Sequence, residues 1–247
     1  MHLEPWQWAL LAVAAFCVGL SKTGFAGVGV LSVAIFANVL PHPLNSTGAL
    51  LPLLVCADFF GVFFFRKHAE WSYLWKLFPW VAVGIVLGDF ALGKFNDADA
   101  RRTIGIILIA MVVLQLWRQR QSGDLAARLP HAWWFVGLTG IAAGFATMTA
   151  NAAGPLMVLY LLAIGLPKLT IVGTSAWFFL FVNLFKVPFS VHRDLITTDS
   201  LRMDALLLIP MIPGALLGPV ILKRINQTAF EIMVIAFTII AAIRLLI

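Results

Sequence analysis

Two interrupted apolar segments hold the residue types best suited to binding a ligand. The first apolar run, residues 6–20, is followed by Ser-Lys-Thr-Gly-Phe-Ala-Gly-Val-Gly, and a second interruption spans residues 145–155. Where a half-helix restarts after such a break, its free N–H groups and positive dipole end can receive an anion. The predicted binding residues are Ser21, Lys22, Thr23, Gly24, Gly27 and Gly29 in the first interruption, and Thr149, Asn151 and Gly154 in the second.

Each feature of the interruptions also has an interpretation without ligand binding. The small residues would by themselves allow close helix packing. Lys22 would serve as a boundary lysine whose amine reaches the polar headgroups. Because two interruptions fall at corresponding positions, we favour a binding site, with Lys22 as part of it.

Lys186 and Asp58 are charged residues inside long apolar stretches, and Asn183 precedes Lys186 by one helical turn. A membrane-buried lysine and aspartate either pair with each other or serve ligand and ion traffic. A purely structural salt bridge remains an equal alternative. We predict that Asn183 and Lys186 contribute to the binding site and that Asp58 is the candidate coupling residue.

Hydroxyl residues follow the two Leu-Pro turns at corresponding positions, Ser46-Thr47 in the first half and Thr174-Ser175 in the second. N-capping of the next helix would explain them without any role in function. The alternative is that all four line the binding site if the two halves pack face to face.

Composition identifies the elements that must position these residues. Of the 247 residues, 62% are hydrophobic and only 11% are charged, with a mean hydropathy of +0.97. A soluble domain carries about 25% charged residues. Apolar stretches near the roughly 20 residues that cross a bilayer recur along the chain. The sequence therefore predicts an all-α polytopic membrane protein in contact with the lipid bilayer, and its net charge of +6 lies in short connections rather than in a nucleic-acid surface.

A weak internal repeat relates the two halves of the chain. The matching residues are Gly19, Gly29, Gly84 and Gly88 in the first half and Gly144, Gly154, Gly214 and Gly218 in the second. We assign residues 1–117 to the first repeat, 118–131 to a connecting loop and 132–247 to the second repeat. Each repeat is predicted to be a broken-helix hairpin plus three transmembrane helices, which makes the repeats inverted copies in one membrane domain.

Several other classes of function find no support in the sequence. All five histidines lie at segment ends or in connections, so no metal cluster or Ser–His pair is predicted. A phosphate-binding loop is absent from the sequence. Cys17 and Cys56 fit best as small buried side chains. We therefore predict no enzyme activity, no cofactor, no bound metal and no nucleic-acid partner.

The glycine-rich run at residues 19–29, the Leu40-Pro41 turn, Ser46-Thr47-Gly48-Ala49 and Gly173-Thr174-Ser175-Ala176 resemble the TauE/SafE sulfite-exporter family. The resemblance extends over essentially the whole chain. It implies a multi-pass protein of the bacterial inner membrane that carries sulfite, thiosulfate or organosulfonates such as sulfoacetate. Both breaks have less glycine than the family often shows.

The favoured hypothesis is a secondary transporter in which an anion binds near the membrane midplane between the repeats. A proton or a sodium ion would couple to transport, and a homodimer is one assembly that the sequence allows. One alternative is a passive anion channel of the same architecture. A third hypothesis is a membrane subunit without transport activity or an intramembrane enzyme, although the missing nucleophile–base pair argues against catalysis.

Overall fold

The computed structural model describes residues 3–24, 28–40, 43–92, 106, 109–113, 116 and 132–246. Within these residues the chain is helical and contains no strand. The helices with defined ends are α1 Pro5–Thr23, α2 Gly29–Val39, α3 Pro43–Ala49, α4 Leu51–Phe65, α5 Trp71–Leu92, α6 Trp133–Ala150, α7 Ala153–Ile164, α8 Lys168–His192, α9 Thr198–Arg224 and α10 Gln227–Leu246. The all-α prediction is confirmed, whereas the connecting loop predicted at residues 118–131 lies outside the described part.

Five helical segments of the described chain are long and apolar enough to cross a membrane. They are Ser46–His68, Trp71–Leu92, Trp133–Ala150, Lys168–His192 and Thr198–Arg224. A helix satisfies its own backbone hydrogen bonds, which is a requirement in lipid. The fifth segment begins eight residues before the apolar run of residues 206–222, because its first two turns are polar. Ser46–His68 joins the end of α3 to α4 through Leu50, where the helix is interrupted because Pro52 lacks the N–H that would continue it.

The chain divides into two compact units. Unit 1 consists of Met1–Lys67 and Ala176–Ile225, and unit 2 consists of His68–Ser175 and Asn226–Ile247. Each unit therefore draws on both predicted repeats. The repeat boundaries and the inverted relation between the repeats stay predictions.

In unit 1, α1 packs most extensively on α9 along a contact of small residues. A side chain at Gly19 would collide with the α9 backbone at Met211 and Ala215, and one at Gly214 would collide with the α1 backbone at Phe16. Only glycine permits so close an approach of two helices. An apolar core from α1, α2, α3, α4 and α9 surrounds this contact.

The first interrupted segment of unit 1 folds back on itself. α1 ends at Thr23, and α2 restarts at Gly29, which lies against Ser21. Further along, the hydroxyl of Ser32 donates a 2.8 Å hydrogen bond to the carbonyl of Ala14. Because later residues of α2 contact earlier residues of α1, the two helices are antiparallel. The break predicted in this segment is therefore present.

In unit 2, α5 and α6 form the corresponding close contact. A side chain at Gly84 would collide with the α6 backbone at Ile141, and one at Gly144 would collide with the α5 backbone at Val81. The second interruption lies after α6, where Asn151 is left-handed (φ 49°) and closes the helix. α7 then returns along α6, with Phe135 stacked on Tyr160 at 6.3 Å between ring centroids.

The two glycine contacts are related to each other by the glycine correspondence in the sequence. Gly19 corresponds to Gly144 and Gly214 to Gly84, and Gly19 packs beside Gly214 in unit 1 while Gly144 packs beside Gly84 in unit 2. Thus α1, the first helix of the first predicted repeat, contacts α9 of the second. In the same way α6, the first helix of the second predicted repeat, contacts α5, the helix that corresponds to α9. This reciprocity supports an internal repeat.

Candidate functional site

The polar centre of unit 1 is a buried carboxylate held between a lysine and an amide. An ion pair of 2.8 Å joins Lys22 Nζ and Asp58 Oδ1, and the Asp58 side chain is fully buried. On its other oxygen, Asp58 accepts a 2.6 Å hydrogen bond from Asn183 Nδ2. Both oxygens are thus engaged, by side chains of α1 and α8, which holds the carboxylate in one orientation.

Lys186 adds a second positive charge to this cluster. It is 98% buried and interacts electrostatically with both Lys22 and Asp58. With these three groups ionised, the cluster carries two positive charges and one negative charge. Residual positive charge inside a low-dielectric region attracts anions.

Helical spacing explains why these side chains meet. Phe179, Asn183 and Lys186 are four and three residues apart, so they share one face of α8. Asp58 and Gly61 share a face of α4, and a side chain at Gly61 would collide with the Lys22 carbonyl. Glycine therefore lets the end of α1 approach α4 closely enough for the ion pair.

Phe179 also contacts the Lys22 ammonium. The Lys22 ammonium lies 4.1 Å from the centroid of the Phe179 ring, a cation–π contact that stabilises a partly desolvated ammonium. The Lys22 side chain is 12% exposed, so it retains some access to solvent space. The sequence did not single out Phe179, because one phenylalanine among many in an apolar helix carries no distinguishing signal.

The other predicted residues of the first interruption lie beside Lys22 but use their hydroxyls locally. Ser21 and Thr23 occupy the last turn of α1, where they donate to the carbonyls of Val18 and Gly19. Gly24 follows the helix, and a side chain there would collide with Gly218 of α9. Gly29 begins α2, while Gly27 lies outside the described residues. Of this group, only Lys22 is brought to Asp58 by a side-chain contact in the described structure.

The hydroxyl residues after the Leu-Pro turns are inside helices rather than at their N-caps. Ser46 and Thr47 are buried within α3, in unit 1, and Thr174 and Ser175 are buried within α8, in unit 2. Thr174 accepts a 2.9 Å hydrogen bond from the backbone N–H of Glu70. The capping alternative therefore does not fit these positions, and a role in binding stays a prediction.

The predicted residues of the second interruption belong to unit 2. The hydroxyl of Thr149 donates to the carbonyl of Phe145, Asn151 closes α6 and Gly154 lies in the first turn of α7. Their participation in anion binding is a prediction that rests on the sequence alone.

The sequence analysis missed Asp204, which lies in the second turn of α9. It is 96% buried. The continuous apolar run of the sequence starts only at residue 206, so Asp204 was assigned to the polar connection before it. Its signal was available, because Asp204 follows Met203 and precedes Leu206 and Leu207 in an apolar context.

The described residues contain no group of three or more His, Cys, Asp and Glu side chains that could hold a metal ion. Cys17 and Cys56 are free thiols. The arrangement around Asp58 is instead suited to exchanging one anionic partner of the lysines for another.

The apolar helices define a multi-pass membrane protein, and the cluster at Asp58 gives it a buried electropositive centre. The model of the family described as sulfite exporter TauE/SafE matches residues 11–245. The chain belongs to this family. Comparisons with curated proteins and with solved structures gave no significant match. The resemblance that the sequence motifs indicated is confirmed.

Proposed function

We propose that this chain is a secondary transporter of the bacterial inner membrane that moves small anions by alternating access, and that the anion binds at Lys22 and Lys186. The observation that carries the proposal is a buried carboxylate, Asp58, that pairs with the largely buried Lys22 and interacts electrostatically with the buried Lys186. Membership of a sulfite-exporter family supports anion transport and favours sulfite or organosulfonates as substrates.

Charge balance explains how the cluster would release and accept an anion. In the described arrangement Asp58 acts as an internal counter-ion, which keeps Lys22 and Lys186 from being buried without compensation. A substrate anion that approaches Lys22 competes with Asp58 for the same ammonium. At an effective dielectric of about 20, an ion pair at 4 Å is worth roughly 4 kcal/mol. A singly charged substrate atom at the same distance from the ammonium would gain a similar energy, which would allow reversible exchange.

Nothing in the cluster selects sulfur as such. Ammonium and amide donors recognise a compact oxyanion by charge and hydrogen bonding. The preference among sulfite, thiosulfate and sulfoacetate would then depend on size and on further donors. Thr149 and Asn151 remain candidate donors on sequence grounds.

Uptake of labelled sulfite into proteoliposomes tests the proposal, with wild type compared with Lys22→Ala. We expect saturable uptake by wild type and a reduction of at least tenfold in the variant, because the ammonium that attracts the anion is gone. Lys76→Ala is the matched control, since Lys76 is an exposed lysine on α5. Equal uptake by wild type and Lys22→Ala would remove Lys22 from the mechanism.

The same vesicles separate a transporter from a passive anion channel. A carrier accelerates the entry of labelled sulfite when unlabelled sulfite is present inside, because each return step is loaded. A channel shows no such counterflow and gives large single-channel currents. Counterflow with no measurable unitary current is the expected result.

A further inference from the structure

Asp204 is a buried acid whose side chain makes no hydrogen bond or ion pair in the described structure. It lies in α9 of unit 1, 4% of its surface is exposed, and neither carboxyl oxygen has a hydrogen-bond partner in the described structure. Its neighbours Met203 and Leu207 belong to the apolar core formed with α1, α3 and α4. A core position of this kind would be filled more favourably by an apolar side chain.

No positive charge compensates this carboxyl group in the described residues. Of the helices that pack on α9, α1 carries Cys17 and Lys22, α4 carries Cys56 and Asp58, and α3 carries no titratable side chain. Lys22 is already paired with Asp58, whereas Cys56 is a neutral thiol within electrostatic reach of Asp204. On α9 itself, Arg202 is exposed and pairs with Asp199.

An ionised carboxylate without a partner is not stable in such surroundings, so the group holds a proton in this conformation. A neutral acid still leaves its oxygens unsatisfied. Ionisable residues of this kind inside membrane proteins typically belong to proton or ion pathways. The proton could leave only in a conformation that brings water to the carboxyl group.

We propose that Asp204 is the proton-carrying residue of this transporter, an inference that rests on the proposed anion transport. A proton from water on one side of the membrane bonds to a carboxyl oxygen of Asp204. It crosses with the loaded protein and returns to water on the other side, which leaves the carboxylate hydrated until the next cycle. Asp58, the coupling candidate of the sequence analysis, serves in this proposal as counter-ion to Lys22 and Lys186.

Two transport assays on the full-length protein in proteoliposomes test this role. The first measures exchange of labelled for unlabelled sulfite at equal pH on both sides, and the second measures sulfite accumulation driven by a pH gradient. We expect Asp204→Asn to keep exchange within about threefold of wild type and to lose at least tenfold of the gradient-driven accumulation. Exchange needs no release of the proton, whereas net accumulation does.

Asp199→Asn is the matched control, because Asp199 is an exposed carboxylate on the same helix. It should behave as wild type in both assays. A pH gradient also acts on sulfite itself, but it does so equally for every variant and for protein-free liposomes. Asp204→Glu should retain gradient-driven accumulation.

The outcomes separate this proposal from the one on which it rests. If wild type neither exchanges nor accumulates sulfite, the proposed function fails. If wild type exchanges sulfite but responds to a sodium gradient instead of a pH gradient, the role of Asp204 is overturned whatever the variants do. Gradient-driven accumulation by Asp204→Asn, or its loss in Asp58→Asn alone, would overturn it as well. So would loss of exchange in a folded Asp204→Asn protein.

Discussion

If Asp58 is the internal competitor of the substrate, its removal should strengthen anion binding. Asp58→Asn keeps the shape of the side chain and can still contact Asn183, but it removes the negative charge from between Lys22 and Lys186. The anion would then meet the Lys22 ammonium without an internal competitor. We therefore expect a protein that binds its substrate more tightly and releases it more slowly.

The geometry gives the size of the effect. Lys22 Nζ lies 2.8 Å from Asp58 Oδ1. An anion at a similar distance on the opposite side of the ammonium would be about 5.6 Å from that oxygen. At an effective dielectric of about 20, two unit charges at this distance repel by roughly 3 kcal/mol. Removing the repulsion corresponds to an increase in affinity on the order of 100-fold.

A thermal-unfolding titration of the purified protein measures this change. Sulfite should raise the unfolding temperature of Asp58→Asn at concentrations about 100-fold lower than for wild type, because stabilisation follows the ratio of ligand to its dissociation constant. The anion-free variant should start from a lower unfolding temperature, since two buried lysines then lack a counter-ion. Asp199→Asn should match wild type. Unchanged or weaker sulfite binding by Asp58→Asn would refute the competition.

Two further predictions concern the framework, and both are read from thermal unfolding in detergent. Gly214→Val should lower the free energy of unfolding by about 1–3 kcal/mol, because the new side chain collides with the backbone of Phe16. The control is Gly137→Ala, whose added methyl meets the Trp80 ring at 3.4 Å. Equal losses of stability in the two variants would contradict close packing at Gly214. Asn151→Val should lower the free energy of unfolding by about 1–2 kcal/mol more than Asn151→Gly does, since a branched residue is strained at a φ of 49°. Equal stability of the two Asn151 variants would show that this backbone conformation is not required.

Hydropathy and glycine positions were sufficient to predict the helices and the interruptions. Membrane-spanning helices can be recognised by their length and apolar composition. The glycines of the repeat, such as Gly19 and Gly214, lie where helices approach most closely. Lys186 and Asp58 could be selected because charge in an apolar run is rare. Their assembly with Lys22 could not be predicted, because it depends on how α1, α4 and α8 pack. For Lys22, the sequence pointed to the interruption itself, whereas the side chain is directed to Asp58 on a neighbouring helix.

The two buried carboxylates of unit 1 have different partners, and this difference suggests how anion and proton movement would be linked. Asp58 is neutralised by a lysine, whereas no cation of the described residues pairs with Asp204, so that a proton neutralises it. A conformational change that opened both carboxylates to the same side of the membrane would link the two movements. Anion and proton would then cross together, and the proton would offset one negative charge of the anion, which lowers the cost of moving charge through the bilayer.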